Sequence, residues 1–122
     1  KILILLFLFA PLYVSGQTWF TADAGAVIIG NNDAEWQECR NRICVLGDGN
    51  VKIFTAENTF VYSRIGENFT KEEGNGISYM SWPCVDNEGE RCALSFNNIE
   101  GDIFFILEYS NYSIMYHVIP DD

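Results

Sequence analysis

From Gln17 onward, apolar and polar residues alternate with a period of two far more often than with the 3.6-residue period of a helix. In Val51-Lys52-Ile53-Phe54-Thr55 the odd-numbered positions suit a core face, and Thr59 to Ile65 continues the pattern after a short Glu57-Asn58 connection. The alternation is clearest from Arg91 to Phe96, with Cys92, Leu94 and Phe96 on one side and Arg91, Ala93 and Ser95 on the other. Successive side chains of an extended chain point to opposite sides, so this pattern marks strands that bury one face. Asp102 to Tyr109 is almost continuously apolar, which predicts a central strand covered on both faces. Ser110-Asn111 predicts a turn into a last strand, Tyr112 to Ile119.

The residues between these runs carry turn chemistry. Gly47-Asp48-Gly49-Asn50, between Ile43-Cys44-Val45-Leu46 and Val51, predicts a hairpin, because Asp-Gly and Gly-Asn accept the positive φ that tight hairpins demand. Gly66 to Gly76 is the longest polar stretch, with Lys71-Glu72-Glu73, and predicts a loop. Only Asp33 to Cys39 offers a short helix, with Asp33 as its N-cap and Glu35 and Glu38 near its start. The whole pattern predicts a single all-β domain, an antiparallel β-sandwich or small barrel of about 7–8 strands with at most one short helix.

The first segment has a different character. Lys1 precedes Ile2 to Val14, which is apolar except for Pro11, and Val14-Ser15-Gly16 ends the run with small residues. This arrangement predicts a secretory signal peptide over residues 1–16, cleaved before Gln17, and a single secreted domain over 17–122. The run is too short for the roughly 20 apolar residues of a membrane-spanning helix, so no membrane insertion is expected after cleavage. The chain as a whole is 48% hydrophobic with net charge −10, from 7 Lys and Arg against 17 Asp and Glu. Losing Lys1 makes the mature domain more acidic still. An acidic surface repels polyphosphate and anionic membranes, which argues against a nucleic-acid partner.

A secreted domain places its cysteines in an oxidising compartment, where an even number implies disulfides. The four here, Cys39, Cys44, Cys84 and Cys92, lack the paired Cys-x-x-Cys spacing of a zinc site. Each local pair flanks a polar segment, so the expected bridges are Cys39–Cys44 and Cys84–Cys92. Asn68-Phe69-Thr70 and Asn111-Tyr112-Ser113 are N-glycosylation sequons, which predicts that Asn68 and Asn111 lie on exposed turns.

Catalytic signals are sparse. His117 is the one histidine, placed in the last strand, and no nucleophile-elbow, zinc-protease or phosphate-loop motif is present. Paired carboxylates such as Glu35 with Glu38, or Glu100 with Asp102, are the remaining enzymatic route, of the glycosidase kind. Asp86, Glu88 and Glu90 form a loosely calcium-like oxygen cluster without EF-hand spacing; no metal or other cofactor is expected. The aromatics are the main positive feature: Tyr109, Tyr112, Tyr116 and Trp36 are the candidate binding surface, since such rings serve as interface anchors. The leading expectation is therefore a non-enzymatic extracellular domain that binds a protein or glycan. A carrier holding a small hydrophobic ligand in a barrel cavity is the alternative, and a carboxylate-dependent enzyme the third. The oligomeric state is not fixed by the sequence.

Overall fold

The computed structural model describes residues 17–67, 69–73 and 77–121. The predicted leader and the sequon residue Asn68 lie outside them. Nine strands follow in order: β1 (Gln17–Ile29), β2 (Gln37–Leu46), β3 (Val51–Phe54), β4 (Thr59–Arg64), β5 (Phe69–Glu73), β6 (Ile77–Asp86), β7 (Arg91–Ile99), β8 (Asp102–Glu108) and β9 (Tyr112–Pro120). Around the sheet the order is β4-β3-β2-β1-β9-β8-β7-β6, every neighbour is antiparallel, and β4 pairs with β6 to close the ring. The fold is thus a closed eight-stranded antiparallel barrel, with β5 added along the first half of β6.

Alternation fills the inside. Ile43, Val45, Val51, Ile53, Leu94, Phe105 and Leu107 are fully buried there, with Phe96 as a hub. Its ring centroid lies 4.9 Å from that of Phe105, 5.2 Å from Phe20 and 6.2 Å from Trp82. Each such aliphatic or phenylalanine side chain contributes about 1.5–3 kcal/mol through burial. An eight-stranded barrel is just wide enough for its side chains to fill, and here they do so through the middle.

The turns behave as their residues require. In the β2–β3 hairpin the Leu46 N–H donates to the Asn50 carbonyl at 2.8 Å, and Gly49 takes φ +94°. The β7–β8 hairpin turns through Glu100 (φ 53°) and Gly101 (φ 99°), and the Gly101 N–H donates to the Asn98 side chain.

Three sequence expectations are corrected. Asp33–Cys39 forms no helix: residues 30–36 connect two strands, and Gln37 and Glu38 pair with Gly25 and Ala24 of β1. A segment this short pays the full cost of helix nucleation, whereas pairing with an existing strand adds bonds without it. The polar stretch 66–76 is not all loop, since it contains β5, whose backbone pairs with the half of β6 that β4 leaves free. Finally, β8 is covered on one face only, because its outward residues Phe104 and Ile106 stay partly exposed.

A β-bulge in β1 decides what lies at one end of the barrel. Register shifts with both neighbours between Ala22 and Ala24: against β9 Asp23 is the extra residue, whereas against β2 it stands opposite two residues, Cys39 and Arg40. Before the bulge, Phe20 and Ala22 face inward; after it the parity reverses, and Gly25 stands opposite the inward Tyr116, with Val27 opposite Ile114. Bulges re-aim side chains in this way because the alternation period is two.

Candidate binding site

The second half of β1 borders a depression of the barrel. A cleft of about 370 Å³ is lined there by Gly25, Val27, Ile114 and Tyr116, by Cys39 and Asn41 of β2, and by Glu35, Gln37 and Glu38. Gly25 is what bares the Tyr116 ring: a Cβ at this position would sit 3.0 Å from two ring carbons. Behind the ring lies Phe105, with centroids 6.4 Å apart and planes nearly parallel, so the cleft's floor is continuous with the core. Burial pushes the Tyr116 hydroxyl above its ordinary pKa, while its hydrogen bond with the Asn41 side chain works the other way. Cys39 donates its thiol to the Ala22 carbonyl at 3.7 Å, and burial raises its pKa as well. Val27 (54% exposed) and Ile29 (61%) form an apolar lip.

A second depression of about 560 Å³ lies across the bulge and is lined by Asp23, Glu38, Cys39, Arg40 and Arg42. Arg42 is already engaged there, ion-paired with Asp121 and 4.5 Å above the Trp19 ring. Nearby on the outer face, His117 bridges two carboxylates, with Nδ1 2.8 Å from Asp23 and Nε2 3.3 Å from Asp102. Phe104 packs against its ring at 5.4 Å and Trp36 against Phe104 at 6.1 Å.

The chain matches no protein-family model, no curated protein and no solved structure. The site therefore rests on its own geometry.

The predicted aromatic surface separates into two. Trp36 is exposed (43%) and Tyr116 lines the cleft. Tyr109 and Tyr112 do not form an exposed pair beside the Asn111 turn. Tyr109 is only 8% exposed, stacks on Tyr112 with centroids 4.8 Å apart, and donates its hydroxyl to Asp86 at 2.8 Å. The turn is too tight to splay them, because the Tyr109 N–H is bonded to the Tyr112 carbonyl. Asn111 itself is exposed, as its sequon requires.

Asp86, Glu88 and Glu90 do not gather as a cation site. One Asp86 oxygen accepts the backbone N–H groups of Glu88 and Glu90, and the other accepts the Tyr109 hydroxyl. Desolvation would raise the Asp86 pKa, yet these donors hold it below the usual carboxylate range. Among the described residues no three metal-ligating side chains converge.

The bridge Cys39–Cys44 is excluded by β2 itself. Five residues of extended strand separate the two Cα atoms by roughly 16 Å, against a disulfide limit near 7 Å. The side chains also diverge, Cys39 toward the core and Cys44 onto the outer face with its partners Trp19 and Lys52. Cys84 and Cys92, by contrast, stand directly opposite in β6 and β7 and are both buried; all four cysteines are free thiols in this structure.

Sequence reading missed Gly25, Val27, Asn41 and Ile114. Its available signal was the small-residue run Ala24-Gly25-Ala26 in the middle of a strand, where a glycine marks a bulge or a close approach.

Proposed function

We propose that this protein is a non-enzymatic extracellular binding domain that seats a small ligand in the open mouth of its barrel. The observation that carries the reading is the 370 Å³ cleft in which Gly25 bares the face of Tyr116. Its size falls in the range of small-molecule sites, which favour barrel mouths and combine apolar walls with a few polar groups. Val27, Ile114 and Tyr116 supply the walls; Asn41, Gln37 and the two glutamates supply the polar groups. The filled interior argues against a carrier with a barrel cavity and confines a ligand to the mouth. The extracellular setting is supported by the leader-like segment, the sequons and the facing pair Cys84 and Cys92, which an oxidising compartment joins.

A second reading has its own observation. Val27, Ile29 and Trp36 make an exposed apolar border near the same mouth, suited to an extracellular protein or glycan.

Fragment binding followed by amide NMR separates the two. The mouth reading expects small aromatic fragments to shift Gly25, Val27, Cys39 and Tyr116 selectively. Gly25→Val, whose side chain invades the ring's space, should abolish those shifts, and Val27→Ser should weaken them several-fold with the fold intact. Fragments that leave the mouth resonances unmoved would overturn the reading.

A further inference from the structure

We infer that the mouth selects a small organic cation, an aromatic ring carrying a protonated amine; the inference rests on the mouth reading above and names its ligand class. Two carboxylates, Glu35 and Glu38, border the cleft, and among the described residues no lysine or arginine lines it. The nearest basic residues along β2, Arg40 and Arg42, line instead the depression across the bulge, which Glu38 also borders, and Arg42 is paired with Asp121 and Trp19. An anionic ligand would meet two like charges on entry, in a protein whose net charge is already −10.

The cleft is also polarised along its depth. Its inner wall is the Tyr116 ring backed by Phe105, flanked by Val27 and Ile114. Its solvent side carries Glu35, Gln37 and Glu38, all exposed. A ligand with one apolar and one cationic end therefore has one orientation, ring inward and ammonium at the border. The ring face that Gly25 leaves bare is the contact surface. An aromatic face also attracts a cation held near it, so both ends of the ligand are served. At about 30 Å³ per water-sized group, the cleft holds on the order of a dozen such groups. That fits a single ring with a short amine arm.

Calorimetric titration of the protein with 2-phenylethylamine, 2-phenylethanol and phenylacetate at pH 7 tests this. The amine should bind at least about tenfold more tightly than the alcohol, and the carboxylate more weakly still. The double substitution Glu35→Gln with Glu38→Gln should remove that tenfold preference of amine over alcohol. Both positions are exposed, and an unchanged melting temperature would show that the variant is folded. Equal affinity for amine and alcohol, or a preference that survives the substitution, overturns the cation inference while the mouth reading stands. If none of the three probes moves the mouth resonances, both fail.

Discussion

At the residue scale, Asp23 and Gly25 do more to the molecule than their size suggests. Asp23 is the surplus residue of the bulge, and its carboxylate is turned outward onto His117. Two residues later the reversed parity delivers a residue without a side chain to the inward position that pairs with Tyr116 on the β1 side. The bulge thus joins the outer His117 cluster to the shape of the cleft. His117 gives the stability of this region a dependence on pH. The Asp23 hydrogen bond is the largest influence on it and raises its pKa above the ordinary 6.5, helped by Asp102 and opposed by partial burial. A folded-state pKa above the unfolded one means that protonation favours the fold. The contribution is complete below about pH 6.5 and is lost as pH rises through the raised value. Because both carboxylates are half-exposed or more, it belongs with surface pairs of about 0.2–1 kcal/mol. Urea midpoints should fall modestly from pH 6 to pH 8.5 in the native protein. In His117→Gln this part of the slope should vanish; a slope unchanged by the substitution would remove His117 as its source.

At the scale of elements, the β6–β7 hairpin carries the cysteine chemistry. Its turn is set by Asp86, whose carboxylate takes the N–H groups of Glu88 and Glu90, and by Gly89 at φ +85°. That turn fixes the register, and the register puts Cys84 opposite Cys92. Directly opposed strand residues have Cα atoms about 4.5–5.5 Å apart, within the span of a disulfide. Burial first, and Cys92 beside it, push the Cys84 thiol up to about 12, so the folded protein holds almost no reactive thiolate at neutral pH. Oxidation is therefore expected to be faster before burial than after it. Protein folded in an oxidising secretory compartment should show two free thiols after denaturation, Cys39 and Cys44. Protein folded under reducing conditions and then exposed to air should keep four. Mass spectrometry after alkylation in denaturant reads the difference, and four thiols in the secreted form would refute the bridge.

This hairpin and the β2–β3 hairpin show what could be read from sequence. The alternation of Cys92, Leu94 and Phe96, and the Gly-Asp-Gly-Asn turn, rest on local chemistry and were legible without a structure. The Cys39–Cys44 expectation treated a short sequence gap as a short distance, which holds for a turn and fails along the strand that β2 turned out to be. The cleft was hidden for a related reason. It depends on one residue of register slippage, which changes the face of every later residue in β1 and leaves no mark on composition.

For the whole molecule, closure is the demanding step, because a barrel removes its edges only if the first and last strands meet. They meet over a short stretch: Tyr62, Ser63 and Arg64 of β4 stand opposite Asp86, Val85 and Cys84 of β6. Pro83 marks the hand-over on β6, beyond which β5 is the neighbour, and its carbonyl accepts the Ile65 N–H at 2.9 Å. The β2–β3 hairpin braces this seam from inside. Asn50 accepts the Arg64 N–H through its side chain at 2.9 Å, and the buried Trp82 indole donates to the Gly49 carbonyl at 2.9 Å. In the ring order the seam lies on the far side from β1 and β9, which wall the cleft. Closure and the proposed binding are therefore separable. Native-state hydrogen exchange should find the Arg64 and Ile65 amides opening at lower free energy than those of Phe96 and Phe105. Asn50→Ala orphans the part-buried Arg64 N–H and should lower the seam's opening free energy by about 1–3 kcal/mol. Fragment shifts at Gly25 and Tyr116 should persist in that variant. If the seam proved as protected as the β7–β8 centre in both proteins, the ring would open only by global unfolding, and the short β4–β6 pairing would not be its weak point.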